Sequence, residues 1–170
     1  MIHENFTIDI DIDISEEEFS IYVRDKYQIT IENLLNNNCS SITDYDITMD
    51  RKKCGYILRI TFFKNKNTNN YLNKYILAKD MANHFNSSTI TIILIKDNPY
   101  DADLCIFEPN GNIYKILDDE NYFSEVLEPE LRRKGYSDLE IMRFPIGVVP
   151  ILETKEEISF DKLIELGELS

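Results

Sequence analysis

The chain has 170 residues, 43% apolar and 29% charged, with 31 acidic side chains against 18 basic ones and a net charge of −13. That composition is globular and not disordered, and the length suits one domain with a workable core. The negative surplus argues against direct binding to nucleic-acid phosphates or to an anionic membrane, both of which demand basic surface.

Phe6 to Ile14 alternates without a fault, setting Phe6, Ile8, Ile10, Ile12 and Ile14 against Thr7, Asp9, Asp11 and Asp13, and predicts a strand. Ser15-Glu16-Glu17-Glu18 follows with the spacing of a capping box and three acids for the positive end of a helix dipole. The helix it opens runs to about Tyr27, with Phe19, Tyr22 and Val23 inward; Thr30 to Leu35 reads as its continuation or as a second short helix. Ile42 to Met49 and Tyr56 to Phe63 predict a hairpin about an Asp50 to Gly55 turn. Tyr71, Tyr75, Ala78, Ala82 and Phe85 form one helical stripe, and the apolar run Thr89 to Ile95 reads as a strand buried on both faces. Strand, helix, two strands, helix, strand is the order of a ferredoxin-like, split βαβ fold, so residues 1–96 are expected to be an α+β core of that kind.

Asn98-Pro99 marks a turn, and Pro109-Asn110-Gly111 between Leu104–Phe107 and Asn112–Leu117 predicts a hairpin that extends or covers the sheet, residues 97–117. Residues 118–170 read as an irregular extension of the same domain. Within it Ser124 to Arg133 is helical but broken at Pro129, Phe144 to Ile151 is an extended arm, and Phe160 to Leu166 is a short helix.

The charge is uneven. Residues 1–50 carry a net of −10, residues 51–96 a net of +8 and residues 97–170 a net of −11, so part of it should be answered inside the fold. Asp9, Asp11 and Asp13 are expected on one sheet face beside Arg59 and Thr61, with Asp44 and Asp46 one strand further out. Carboxylates two apart on a strand stand ~7 Å from each other, too far to share one metal ion comfortably, and no calcium-loop glycine accompanies them. The functional reading of these five is a docking surface for a basic partner; the plainer one is a solvated strand face partly neutralised by Arg59. Asp97, Asp101, Asp103, Glu108, Asp118, Asp119 and Glu120 gather around the second hairpin, with Tyr100 as a possible interface anchor beside Asp101.

Three cysteines, Cys39, Cys54 and Cys105, fit reduced thiols better than a zinc site or a disulfide framework. His3 and His84 stand in no nucleophile motif, and the five glycines are all isolated, so no phosphate loop is expected. No stretch reaches the ~18 apolar residues of a membrane span, and Met1-Ile2-His3-Glu4 resembles no secretory signal, which points to the cytoplasm.

Leu77-Ala78-Lys79-Asp80-Met81-Ala82-Asn83-His84-Phe85-Asn86, Ile92 to Asp97, Asn98-Pro99-Tyr100 and Phe107-Glu108-Pro109-Asn110-Gly111 together resemble a pattern in small uncharacterised bacterial proteins, some of which look like immunity proteins of polymorphic toxin systems. The resemblance implies fold more than function, and carries no residue roles with it. It agrees with the charge, because acidic surface occludes the basic active site of a nuclease-type toxin. The expectation is an acidic, non-catalytic binding protein without cofactor or metal, using Asp9, Asp11, Asp13, Asp44, Asp46, Tyr100 and Asp101. The alternatives are a metal-dependent carboxylate enzyme and an adaptor binding through Phe144 to Ile151.

Overall fold

The structure, a computed structural model, describes residues 5–35, 43–94 and 102–167. One eight-stranded sheet organises all of them, with the order β2-β3-β4-β1-β5-β6-β7-β8. The strands are β1 (Asn5–Ile10), β2 (Ile31–Asn33), β3 (Tyr45–Arg51), β4 (Leu58–Lys64), β5 (Thr89–Leu94), β6 (Ala102–Phe107), β7 (Ile113–Asp118) and β8 (Pro150–Glu157). The helices are α1 (Glu16–Tyr27), α2 (Lys74–His84), α3 (Glu128–Arg133), α4 (Asp138–Met142) and α5 (Phe160–Leu166). β1 pairs antiparallel with both β4 and β5, and β2 alone runs parallel to its neighbour, β3.

One face of the sheet carries the main core. Ile8 and Ile10, Ile47, Ile60 and Phe62, Ile93 and Phe107 meet Phe19 and Val23 of α1, Tyr75, Leu77 and Met81 of α2, and Leu163 of α5. The period-two pattern of each strand makes this possible, and aromatic contacts such as the 4.5 Å stack of Phe6 on Phe62 tighten it. α1 begins at Ser15, whose hydroxyl accepts the Glu18 N–H at 3.2 Å, while the full reciprocal capping box is formed at α4 by Ser137 and Glu140.

The other face is partly covered by the arm before β8. Val148 packs on Ile90, Leu104, Ile106, Ile116 and Tyr56. Backbone bonds from Lys53 to Pro145, from Gly147 to Cys54 and from Tyr56 to Val148 tie the arm to the β3–β4 turn. Gly55, at φ +75°, and Gly147 face each other there, and a Cβ on Gly147 would collide with the Tyr56 carbonyl. A satellite cluster of Leu127, Leu131 and Ile141 packs beside Cys54 and Ile146.

Several expectations need correction. The sheet is wider than a four-stranded core with a hairpin, because Ile31–Asn33, read as helical, adds β2, and Pro150–Glu157 adds β8. The segment after residue 118 is therefore ordered into elements, not irregular. Pro129 does not break a helix there: it sits in the first turn of α3, where no amide hydrogen is needed, after a wide turn closed from Glu128 N–H to the Phe123 carbonyl. β1 stops at Ile10, where its neighbours start at Leu58 and Thr89 and the paired register ends, and Ile12 turns outward at 38% exposure. Tyr71 precedes α2 and is exposed, and β5 opens to solvent at Ile92. The Asn98-Pro99 turn lies outside the described residues.

Candidate functional site

The five sheet aspartates do not form one open acidic face. Asp9 stands opposite Arg59 in the register and is only 4% exposed. Arg59 grips it with Nε to Oδ1 at 2.8 Å and Nη2 to Oδ2 at 3.4 Å. Burial raises the Asp9 carboxyl above its ordinary value, and the Arg59 hydrogen bond and charge only partly oppose this. The pair lines a cavity of about 150 Å³ together with Ile90, Leu104 and Val148, and Asp118 from the end of β7. Asp118 is also raised by desolvation, against hydrogen bonds from the Val149 and Asp119 amides.

Asp11 and Asp13 follow the strand. Asp11 continues the ladder only through its N–H to the Ser88 carbonyl at 3.2 Å, and Asp13 is bound by Arg51 Nε at 2.8 Å. Asp44 precedes β3 and works as a clasp: Oδ2 accepts from the Thr30 amide at 2.8 Å, and Oδ1 from the Thr68 hydroxyl at 2.5 Å and Asn70 Nδ2 at 2.9 Å. Its burial favours the neutral form, but these donors win and hold the carboxyl below its ordinary value. Asp46 accepts from the Thr43 hydroxyl at 3.2 Å and from Asn65 at 3.3 Å. These side-chain partners give Asp9, Asp13, Asp44 and Asp46 each a job inside the fold. Tyr100 and Asp101 lie outside the described residues.

The loop acids are divided in the same way. Asp103 is paired with Lys115 at 3.0 Å and Glu108 with Lys155 at 2.7 Å. Among the described residues no three His, Cys, Asp or Glu side chains group as metal ligands, and no helix is long and apolar enough to cross a membrane. Cys105 is buried, and burial pushes its thiol far above the ordinary value, so it is no thiolate nucleophile.

A broad groove lies elsewhere, along the outer side of α1. It has a volume of about 630 Å³ and is lined by Ser15, Glu17, Glu18, Ile21, Tyr22, Asp25, Lys26 and His84. Glu18, Ile21, Tyr22 and Asp25 recur at i, i+3, i+4 and i+7 and so share one stripe of the helix. His84, at the end of α2, stacks on Tyr22 with ring centres 4.4 Å apart and planes 29° apart. Phe85 braces both rings edge-on at 5.1 Å and 4.7 Å. Lys26 is held by Asp80 at 3.0 Å, and Asp80 also accepts the Tyr27 hydroxyl at 2.6 Å. Burial pushes the neighbouring Tyr22 phenol up to about 12, so it stays protonated. The rim acids Glu17, Glu18 and Asp25 are exposed.

Sequence reasoning did not find this groove. In sequence Glu17 and Glu18 read as charge at a helix start and Tyr22 as an inward residue, Asp25 carries no reading, and the stripe spacing is the available signal. The approach of His84 is a tertiary event with no local signature. No family model, curated protein or solved structure matches the chain.

Proposed function

We propose that this chain is an acidic, non-catalytic binding protein of the cytoplasm that occludes a basic protein partner, as toxin-immunity proteins and antitoxins do. The observation that carries the reading is the α1 groove. It is a hollow of about 630 Å³, and Glu17, Glu18 and Asp25 rim it in a chain whose net charge is −13. Such a surface steers a basic protein on approach and rejects acidic competitors. The docking role first read into Asp9, Asp11, Asp13, Asp44 and Asp46 passes to α1 in this account, since four of the five already serve the fold. We also propose that β1, α1, β3, β4, α2 and β5 are a ferredoxin-like core widened at both edges. In support, β1 lies between β4 and β5, β3 is outermost of the four, and α1 and α2 pack on one face.

Affinity capture from the source cell at low and at moderate salt, with mass spectrometry, tests the function. The expected result is one basic protein retained in stoichiometric amount by the native chain and lost by the triple variant Glu17→Lys, Glu18→Lys, Asp25→Lys. Retention undiminished in that variant moves the surface off α1, and recovery of no basic protein at either salt removes the reading.

A further inference from the structure

We infer that the α1 groove is built to take an arginine side chain of a basic protein partner, with the guanidinium laid on His84 and paired in its own plane by Glu18 and Asp25. The inference rests on the acidic-groove reading and deepens it by naming the side chain recognised. The Tyr22–His84 stack forms a flat platform within the groove. His84 is solvent-exposed, whereas Tyr22 beneath it is 6% exposed, so the platform presents the imidazole.

Helix geometry places the carboxylates. Glu18 lies four residues before Tyr22 and Asp25 three after it, roughly one 5.4 Å turn to either side of the platform. A planar cation over the platform therefore has a carboxylate at each flank, Glu18 on one side and on the other Asp25, whose Oδ1 also accepts from the exposed Arg24 Nε at 3.0 Å and is shared with it. Lys26, the groove's own ammonium, is drawn off by Asp80 and does not fill this place. Ile21 supplies apolar surface for the methylene stem of the incoming residue.

Arginine suits this arrangement better than lysine for a physical reason. Guanidinium is flat and weakly hydrated, so it stacks on an aromatic face while its N–H fork meets carboxylates at the edge. An ammonium is a compact, strongly hydrated point charge. It gains from the acids alone and leaves the ring face unused.

The test compares hexa-arginine with hexa-lysine, two peptides of equal charge, by calorimetric or fluorescence titration of the full chain at about 0.15 M salt, where long-range attraction is screened. The native chain is expected to bind hexa-arginine about fivefold more tightly. His84→Ala should abolish most of that preference and leave hexa-lysine unchanged, and His84→Phe, which keeps a flat ring, should restore it. Equal binding of the two peptides, both lost in the Glu17→Lys, Glu18→Lys, Asp25→Lys variant, overturns the arginine platform and leaves the acidic groove standing. Equal weakening of both peptides by His84→Ala also overturns it, as a merely structural histidine. Binding of neither peptide, or binding unaffected by the triple variant, sinks the platform and the groove reading together.

Discussion

Asp9 and Asp44 carry the same carboxylate into opposite surroundings, and the fold uses them differently. Asp9 sits under the arm against Ile90, Leu104 and Val148, where Arg59 is its hydrogen-bonded counter-charge and Lys52 adds a further positive charge. Asp9→Ala leaves that guanidinium without its partner. Because Arg59 remains about one-third exposed, water recovers part of the loss, and the expected cost is about 2 kcal/mol in urea unfolding, below the ~3–5 of a fully buried pair. Replacing both residues with apolar ones of similar size, Asp9→Leu with Arg59→Met, should recover most of it; a double variant as unstable as the single one would show that the pair does more than cancel its own charges. The pH dependences have opposite signs. The folded state holds the Asp9 carboxyl above its ordinary value, so its contribution is complete below the unfolded value and is lost as pH rises through the raised one. Asp44 is held below its ordinary value, so its contribution is present above the unfolded value and is lost as pH falls through the lowered one. Asp44→Asn should therefore cost about 2 kcal/mol at neutral pH, from donors left facing an amide, and should flatten the loss of stability below about pH 4. Urea midpoints collected across the acid range check this; a slope there equal to the native one would remove Asp44 from the account.

The arm and β8 each contain one close contact whose removal can be tested apart from the rest. The arm crosses Gly55 through Gly147, and Gly147→Ala forces a methyl into the Tyr56 carbonyl. The expected result is detachment of the arm, seen as loss of hydrogen-exchange protection at the Tyr56 and Gly147 amides while the Ile8 and Ile60 amides stay protected. Equal loss everywhere would mean that arm and sheet open as one unit. β8 meets β7 with a shift in register between Lys115 and Leu117. At that irregularity the Leu117 N–H donates to the Thr154 hydroxyl at 2.9 Å, and that hydroxyl donates to the Ile151 carbonyl at 2.7 Å. Thr154→Val keeps the shape and removes both bonds, with an expected loss of about 1–2 kcal/mol by urea unfolding. A neutral result would assign the register to the strand backbone alone. These elements also explain what the sequence reveals. β1, β3, β4 and α2 announce themselves because each buries one side, so packing writes a period into the residues. The second hairpin is legible from Asn110-Gly111, which joins β6 to β7 by a tight turn. β8 writes no such period: it is an edge strand with much of its surface in solvent, and Glu153, Glu156 and Glu157 are suited to such an edge. β2 is only three residues long. The end of β1 is set by where β4 and β5 begin, so the unbroken alternation through Ile14 overshoots it.

At the scale of the molecule, ion pairs tie the basic middle of the chain to the first acidic flank without cancelling the surplus. Arg51 reaches Asp13, Arg59 reaches Asp9, and Lys26 from the first segment returns to Asp80 in the middle one. Exposed pairs such as Arg51–Asp13 contribute only about 0–1 kcal/mol each. The net charge of −13 therefore acts mainly as self-repulsion across the surface, weakly opposed by these pairs. Raising sodium chloride from about 0.01 M to about 0.2 M shortens the screening length from ~30 Å to below ~10 Å, which relieves long-range repulsion more than contact pairing. The expected outcome is a melting temperature that rises with salt by a few degrees, read by differential scanning calorimetry. In the Glu17→Lys, Glu18→Lys, Asp25→Lys variant each reversal adds two positive charges, taking the net charge from −13 to −7, and the rise should shrink. A melting temperature that falls with salt would mean that the ion pairs outweigh the repulsion. The acidity would then be a structural property of the fold, with no surplus held at the groove for a partner.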